Sequence, residues 1–189
     1  MKVIQLHQEE KQLIMLAVEN NRQAQQQIYA KFSSKMLSVC RQYIKDIHHA
    51  EDVMITGFMK VFTNLKNFEH KGSFEGWIRR IMVYECIDFL RVKKNNFNHQ
   101  DIDDVTVSEN ESVYEMEDVS VDDIQNMIDN LPDGYRMVFN LYAIEGYKHQ
   151  EIAEMLKISE GTSKSQLSHA RKLLQQQITD LKNKLNGTK

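Results

Sequence analysis

The sequence has few residues that interrupt helices. It contains one Pro and seven Gly in 189 residues, where average usage gives roughly nine Pro and thirteen Gly. Turn-rich β-sandwiches and barrels need such residues at their many turns. Their scarcity excludes those architectures and predicts an all-α protein.

The chain also has few cysteines and no long apolar run. Cys40 and Cys86 both lie within apolar helical patterns, which predicts two reduced core residues of a cytoplasmic protein rather than a disulfide. No stretch approaches about eighteen uncharged apolar residues, and the opening MKVIQLHQEE has no apolar core. We therefore expect neither a signal peptide nor membrane insertion.

Apolar residues recur at spacings of three and four along two parts of the chain, as they do on the buried face of a helix. Gly72 interrupts the pattern in a stretch without periodicity, residues 67–73, which predicts a loop. Pro132 ends another periodic run. The predicted helices cover about residues 8–21, 24–45, 54–65, 74–94, 124–131, 135–142, 149–156 and 160–185.

Charge is distributed unevenly between these two parts. Residues 101–123 hold ten acids and no Lys or Arg, and such a block cannot bury apolar surface against its own repulsion. This predicts an acidic flexible linker over residues 95–120 between two small helical domains, 1–94 and 121–189. Residues 1–94 carry a net charge of +5, residues 95–123 carry −10, and residues 124–189 carry +2. The total of −3 therefore belongs to the linker, and both helical halves are basic.

The last two predicted helices are separated only by residues 157–159, which is the spacing of a helix-turn-helix. Ser159 is a suitable N-cap for the second of them. Buried faces are predicted at Ile152, Ala153 and Leu156 on one helix and at Leu167, Ala170 and Leu174 on the other. The polar side of the second helix has no acid from position 162 to 177, and its side chains are those that contact bases and phosphates. This predicted DNA-reading face consists of Thr162, Lys164, Ser165, Gln166, Ser168, His169, Arg171 and Lys172.

No pattern of catalytic or metal-ligating residues is present. His48 and Asp52 share a helical spacing suited to metal ligands but lack a second His or Cys group. The stretch from Gly161 to Ser165 lacks the glycines of a phosphate-binding loop. We therefore expect no enzyme activity, no metal and no cofactor.

Two sets of motifs together resemble the extracytoplasmic-function group of bacterial RNA polymerase sigma factors. Residues 121–178 are similar to sigma domain four, through Leu131-Pro132, Glu151-Ile152-Ala153-Glu154, Gly161-Thr162-x-Lys164-Ser165 and Ala170-Arg171-Lys172. Residues 24–94 look like sigma domain two, through Ala50-Glu51-Asp52-Val53, Phe58-x-Lys60-Val61-Phe62 and Trp77-Ile78-x-Arg80-Ile81. Two motif sets in the family's order are more specific than a lone helix-turn-helix.

The resemblance implies two partners, core RNA polymerase and promoter DNA. Domain two would hold the clamp helices of the largest subunit through Asp52, Ile55, Thr56, Phe58 and Met59. It would also melt and read the minus-10 element through Phe68, His70, Lys71, Ser73, Trp77, Arg79, Arg80 and Tyr84. Domain four would sit on the flap of the second-largest subunit and read the minus-35 element through the face defined above. The resemblance is also compatible with control by a separate anti-sigma factor.

Several positions depart from the family pattern or keep alternatives open. Ile55 and Thr56 replace a polar pair on the polymerase-binding helix, and Gln166 replaces a frequent Arg, which implies an altered minus-35 preference. Trp77 is in register with Ile81 and so also fits a core position. Arg79 and Arg80 point in different directions, so we expect one strong DNA contact. The alternatives are a helix-turn-helix regulator that acts without core polymerase, and a family member that binds polymerase without reading DNA.

Overall fold

The computed structural model describes residues 2–96 and 120–186, and the chain divides into two units, Met1–Asn95 and Asn96–Lys189. Within the described residues all regular structure is helical, as the scarcity of Pro and Gly predicts. Most of the predicted linker, residues 97–119, lies outside the described residues. In the part that the structure describes, no helix is both long and apolar enough to cross a membrane.

Unit 1 contains four helices: α1 (Lys2–Val18), α2 (Arg22–Tyr43), α3 (Ile47–Asn64) and α4 (Phe74–Asn96), with a short 3₁₀ turn at Leu65–Asn67. Asn21 and Asp46 cap α2 and α3, because their side-chain oxygens accept the N–H groups of Ala24 at 3.1 Å and His49 at 2.9 Å. Helix α1 begins six residues earlier than periodicity predicts.

The core of unit 1 forms where these helices bury one face each. Buried side chains on α2 and α3 recur at helical spacing, as predicted. On α4 the apolar period predicts one buried side. Ile78, Met82 and Leu90 of that side are buried as predicted, whereas Trp77, Ile81 and Phe89 are only half-buried. The other buried apolar side chains of α4 are Phe74, Val83, Cys86 and Ile87.

Two contacts fix α3 against α4. Gly57 leaves room for Met82, since a Cβ at position 57 would lie only 2.3 Å from the Met82 sulfur. One turn further along α3, Lys60 donates to the carboxylate of Glu85 at 2.5 Å, and Glu85 is only 8% exposed. The ion pair gives this buried carboxylate a partner and so allows it to lie in an apolar interface.

Unit 2 contains α5 (Val121–Asp129), α6 (Asp133–Phe139), a π-helical turn at Asn140–Ile144, α7 (His149–Leu156) and α8 (Glu160–Asn186). A capping box starts α5: Ser120 Oγ accepts the Asp123 N–H at 3.1 Å, and the Asp123 carboxylate accepts the Ser120 N–H at 3.2 Å. Pro132 is the N-cap of α6 and lies outside the helix, so its missing N–H costs no helical hydrogen bond.

A charged side chain lies in the centre of unit 2. Arg136 is only 1% exposed. Its guanidinium donates to the carbonyl oxygens of Leu131 at 3.3 Å and Asp129 at 3.4 Å, and to the carboxylate of Asp133 at 2.7 Å. It therefore satisfies carbonyls at the end of α5 while leaving Val138 and Leu141 to fill the apolar core.

Candidate nucleic-acid interface

The turn between α7 and α8 has the geometry of a helix-turn-helix. Lys157 ends α7 in the left-handed conformation (φ 56°), and the Ile158 N–H returns to the Ala153 carbonyl at 3.1 Å. Ser159 Oγ accepts the Thr162 N–H at 2.9 Å. The prediction that Ser159 caps the recognition helix is thereby confirmed. At the start of α7, where Lys148 offers no hydroxyl, the Glu151 carboxylate accepts the Lys148 N–H at 2.8 Å.

The buried face of α8 differs from the predicted one by one residue. Leu167 and Ala170 are buried as expected, but Leu174 is half-buried and Ser163 is fully enclosed. The Ser163 hydroxyl lies 2.9 Å from Nδ1 of His149. This polar pair between α7 and α8 fills a position that an apolar pattern does not reveal.

The predicted DNA-reading face consequently separates into two groups. Four side chains are exposed and four are half-buried. His169 is half-buried because its ring stacks on Tyr135 at 5.4 Å, and Gln166 lies close to Gly134 of α6. The exposed group is Lys164, Ser165, Ser168 and Arg171, and the half-buried group is Thr162, Gln166, His169 and Lys172.

The first turn of α8 carries an acidic side chain next to this face. Glu160 pairs with Lys164 at 2.7 Å. The hydrogen bond and the charge of Lys164 hold the pKa of the Glu160 carboxyl below its ordinary value. Lys164 would exchange this carboxylate for a phosphate on contact with DNA. The guanidinium of Arg171 lies instead beside an aromatic ring, 5.6 Å from the ring centre of Tyr142.

A cluster of aromatic side chains lies where α4 begins, in unit 1. The ring of Phe68 contacts those of His70 at 4.8 Å, Phe74 at 5.1 Å and Trp77 at 5.5 Å. His70 adopts φ 56° and remains exposed. Phe68 is only 8% exposed, so its ring packs behind His70 and Trp77 and offers little surface of its own to a base.

The remaining residues predicted for the minus-10 element surround this cluster. Ser73 Oγ accepts the Gly76 N–H at 3.3 Å, so its first role is to cap α4. Lys71 is exposed beside Glu69, at 2.7 Å. Arg80 is exposed and lies 5.9 Å from the ring centre of Tyr84, whereas Arg79 is half-buried. Trp77, Arg80 and Tyr84 share one face of α4, since they are three and seven residues apart.

The residues predicted to bind polymerase lie on α3. Asp52, Ile55, Thr56 and Met59 are all exposed and recur at helical spacing. Ile55 is 49% exposed and Met59 is 67% exposed, so this face presents apolar surface to solvent. Phe58 is a correction: it is only 2% exposed and packs on Tyr29 at 4.8 Å, so it supports α3 from within the core and cannot contact a partner directly.

Three residues that hold the helix-turn-helix of unit 2 together were not identified as functional from the sequence: Tyr142, His149 and Ser163. Tyr142 stacks on His149 at 4.6 Å, and His149 contacts Ser163. Ser163 was assigned neither to the predicted buried face of α8 nor to its DNA-reading face. Nothing in the composition of residues 140–144 indicates the π-helical turn that holds Tyr142. The sequence indicated this contact only by an aromatic residue, Tyr142, shortly before the helix-turn-helix.

The helix-turn-helix of unit 2 and the exposed surface of unit 1 together indicate a class of protein. A helix-turn-helix whose second helix presents cations and amide groups without acids from position 162 to 177 is that of a DNA-binding protein. A second helical unit adds an exposed aromatic and basic surface, which a simple duplex reader does not need. Both features together point to a protein of transcription.

Comparisons with known proteins give the family. The family described as Sigma-70 region 2 matches residues 28–96, and Sigma-70, region 4 matches residues 122–174. The ECF RNA polymerase sigma factor SigW of Bacillus subtilis (strain 168) is 30% identical over 163 residues, which cover 79% of this chain and 86% of SigW. The chain belongs to the ECF sigma factors of RNA polymerase.

Other relatives agree with this assignment. The ECF RNA polymerase sigma-E factor of Haemophilus influenzae is 24% identical over 169 residues, 82% of this chain and 87% of the relative. The sigma factor RpoE of Bartonella quintana, solved with the anti-sigma factor NepR, has a TM-score of 0.52 and 18% identity. That alignment covers 82% of this chain and 96% of RpoE. This structural similarity supports the fold.

Proposed function

We propose that this chain binds core RNA polymerase and directs it to promoters by reading minus-10 and minus-35 elements. Promoter-specific initiation with core polymerase is the function of the family, to which both halves of the chain match. The observation that carries the proposal is that both sigma regions are present in order. A helix-turn-helix regulator that acts alone accounts for the second region only and is not favoured.

The decisive experiment is in-vitro transcription with core polymerase of the source organism and a promoter library. We expect promoter-specific transcripts only when the chain and core polymerase are both present. A chain that binds duplex promoter DNA tightly as a dimer and yields no such transcript would contradict the proposal. Because a sigma factor acts on polymerase and DNA, we further propose that it works in the cytoplasm and performs no covalent step itself.

Minus-35 reading is assigned to the polar face of α8. Lys172→Ala removes a cation, so we expect weaker binding to all promoters and a salt slope that is shallower by about 0.9, the change for one phosphate contact. Lys182→Ala, on the same helix roughly 15 Å further along its axis, is the matched control. Changing Gln166 should instead alter which minus-35 sequence is preferred. An equal loss on every sequence would count against base reading by Gln166.

Minus-10 reading is assigned to the aromatic cluster and the α4 face. His70 is exposed above Phe68, so a flipped base can stack there. Stacking of a base on an aromatic ring contributes about 1–3 kcal/mol by alanine substitution. We expect His70→Asn to weaken binding of the holoenzyme to a single-stranded minus-10 oligonucleotide by roughly 5- to 150-fold. Asn tolerates the left-handed backbone of position 70, and His48→Asn is the control for an exposed histidine on α3.

Polymerase binding is assigned to the exposed face of α3. Burial of apolar side chains such as Ile55 and Met59 favours association with an apolar partner surface. Met59→Glu should lower affinity for core polymerase by at least about tenfold, since it places a charge in that contact. Met15→Glu is the control variant. It introduces the same charge at a methionine of similar exposure on another helix, since Met15 on α1 is 65% exposed and Met59 is 67% exposed. Equal affinity of both variants would show that α3 is not the contact.

Regulation by a separate anti-sigma factor remains a prediction for this chain. RpoE of Bartonella quintana is solved with such a partner, and the similarity between the chains suggests the same kind of control here. Purification of the chain from its source organism, followed by identification of bound proteins other than polymerase subunits, tests it. Recovery with polymerase subunits alone, under conditions without stress, would contradict it.

A further inference from the structure

The ring of Tyr142 connects the two helices of the helix-turn-helix. The guanidinium carbon of Arg171 lies 5.6 Å from its ring centre, and the ring of His149 stacks on it at 4.6 Å with 23° between the planes. Nδ1 of His149 lies 2.9 Å from the enclosed Ser163 hydroxyl. Tyr142 is thereby linked to α8 at positions 163 and 171, which are roughly 12 Å apart along the helix axis.

The π-helical turn explains why Tyr142 reaches this place. In Asn140–Ile144 the Glu145 N–H donates to the Asn140 carbonyl at 3.0 Å, five residues back. This wider turn changes the direction of its side chains relative to α6, and such turns are frequent at functional sites. Leu141 and Val138 are fully buried and fill the core. Tyr142 is only half-buried, so its ring is placed toward α8 rather than into the core.

The contact with Tyr142 restricts where the Arg171 guanidinium can go. A cation within about 6 Å of an aromatic ring centre is attracted to the face of the ring. Arg171 is exposed and borders Ser168 on the polar face of α8. A long side chain that is free in solution loses rotamer freedom when it binds DNA, and one that is already held loses less.

We propose that Tyr142 is a positioning residue for promoter recognition. It presets Arg171 for a phosphate or guanine contact, and its stacking on His149, which in turn contacts Ser163, holds the ring in place beside α8. The inference rests on the proposed function, because Arg171 needs positioning only if α8 reads DNA. Sequence resemblance to sigma domain four identifies Arg171 but does not identify the ring that holds it.

A double-mutant cycle tests the proposal on the full chain assembled with core polymerase. Tyr142→Leu, Arg171→Gln and the double variant are compared for affinity to promoter DNA, with thermal unfolding measured in parallel. We expect Tyr142→Leu to weaken binding by about 3- to 10-fold, the factor for ordering one long side chain. On the Arg171→Gln background the same change should have no further effect. Tyr142→Phe keeps the face of the ring, so its affinity for promoter DNA should stay within about twofold of the wild-type value.

The outcomes separate the possible explanations. If Tyr142→Leu weakens binding equally with and without Arg171, the ring acts through stability of the unit and the positioning role is wrong. If Tyr142→Phe is as weak as Tyr142→Leu, the hydroxyl and not the ring is required, which also overturns it. If the wild-type holoenzyme fails to bind promoter DNA, the proposed function itself fails. If the wild type binds promoter DNA and the losses of affinity in Tyr142→Leu and Arg171→Gln simply add in the double variant, the positioning role is refuted while the proposed function stands.

Discussion

The buried guanidinium of Arg136 provides the sharpest test of how unit 2 is held together. It donates to the carbonyls of Leu131 and Asp129, and Leu131 is fully buried. Arg136→Met keeps most of the side-chain stem and removes every donor. The carbonyl at position 131 then loses a charged donor in a site that water does not reach.

The size of the effect follows from two opposing contributions. A buried carbonyl that loses its partner costs about 1–3 kcal/mol, while the methionine stem retains the apolar contacts of the arginine. The pair with Asp133 adds little, because that carboxylate is 59% exposed. We expect a net loss of about 2 kcal/mol, which lowers the melting temperature of a unit this small by roughly 8–16 °C.

Differential scanning calorimetry of the full chain measures this loss. The transition of unit 1 serves as an internal reference, since Arg136 belongs to unit 2. Arg171→Met makes the same chemical change at an exposed position, where loss of the contact with Tyr142 should cost at most about 1 kcal/mol. Apolar residues of similar volume sometimes replace buried ion pairs without loss. An unchanged or higher melting temperature for Arg136→Met would therefore refute the role of the guanidinium.

Three further predictions concern packing and charge. Gly57→Ala should destabilise unit 1 by about 1–3 kcal/mol through overpacking. Gly76→Ala, whose Cβ would meet the Ser73 Cβ only at 3.8 Å, should stabilise the unit by about 0.5–1 kcal/mol in thermal unfolding. The pKa of Asp46 is held below its ordinary value because its carboxylate accepts a backbone N–H. Its stabilisation is present at neutral pH and is lost as the pH falls through the lowered pKa. Asp46→Asn should therefore be less acid-sensitive than wild type, and equal sensitivity would contradict this. Glu160→Gln frees Lys164 and should raise DNA affinity, more so at low salt; fluorescence anisotropy at two salt concentrations checks it.

The helices were largely predictable because their buried faces follow one period over many residues. The N-cap at Ser159 was also predictable, since a hydroxyl before a periodic run has few other roles. What could not be predicted depends on contacts between segments distant in sequence. Only the resemblance places Phe58 on a partner surface: its register with Met54 and Val61 indicates a core position, and Tyr29 of another helix packs on it there. Ser163 is polar, yet His149 gives its hydroxyl a partner inside the unit.

The capping box of Ser120 and Asp123 has a consequence for how such chains diversify. Helix α5 begins at a signal carried by its own residues, so its first turn does not depend on the identity of the segment before it. Insertions or deletions upstream of Ser120 leave the register of α5 unchanged. Recombination at this position would therefore transfer the entire helix-turn-helix unit to another chain with its first helix intact.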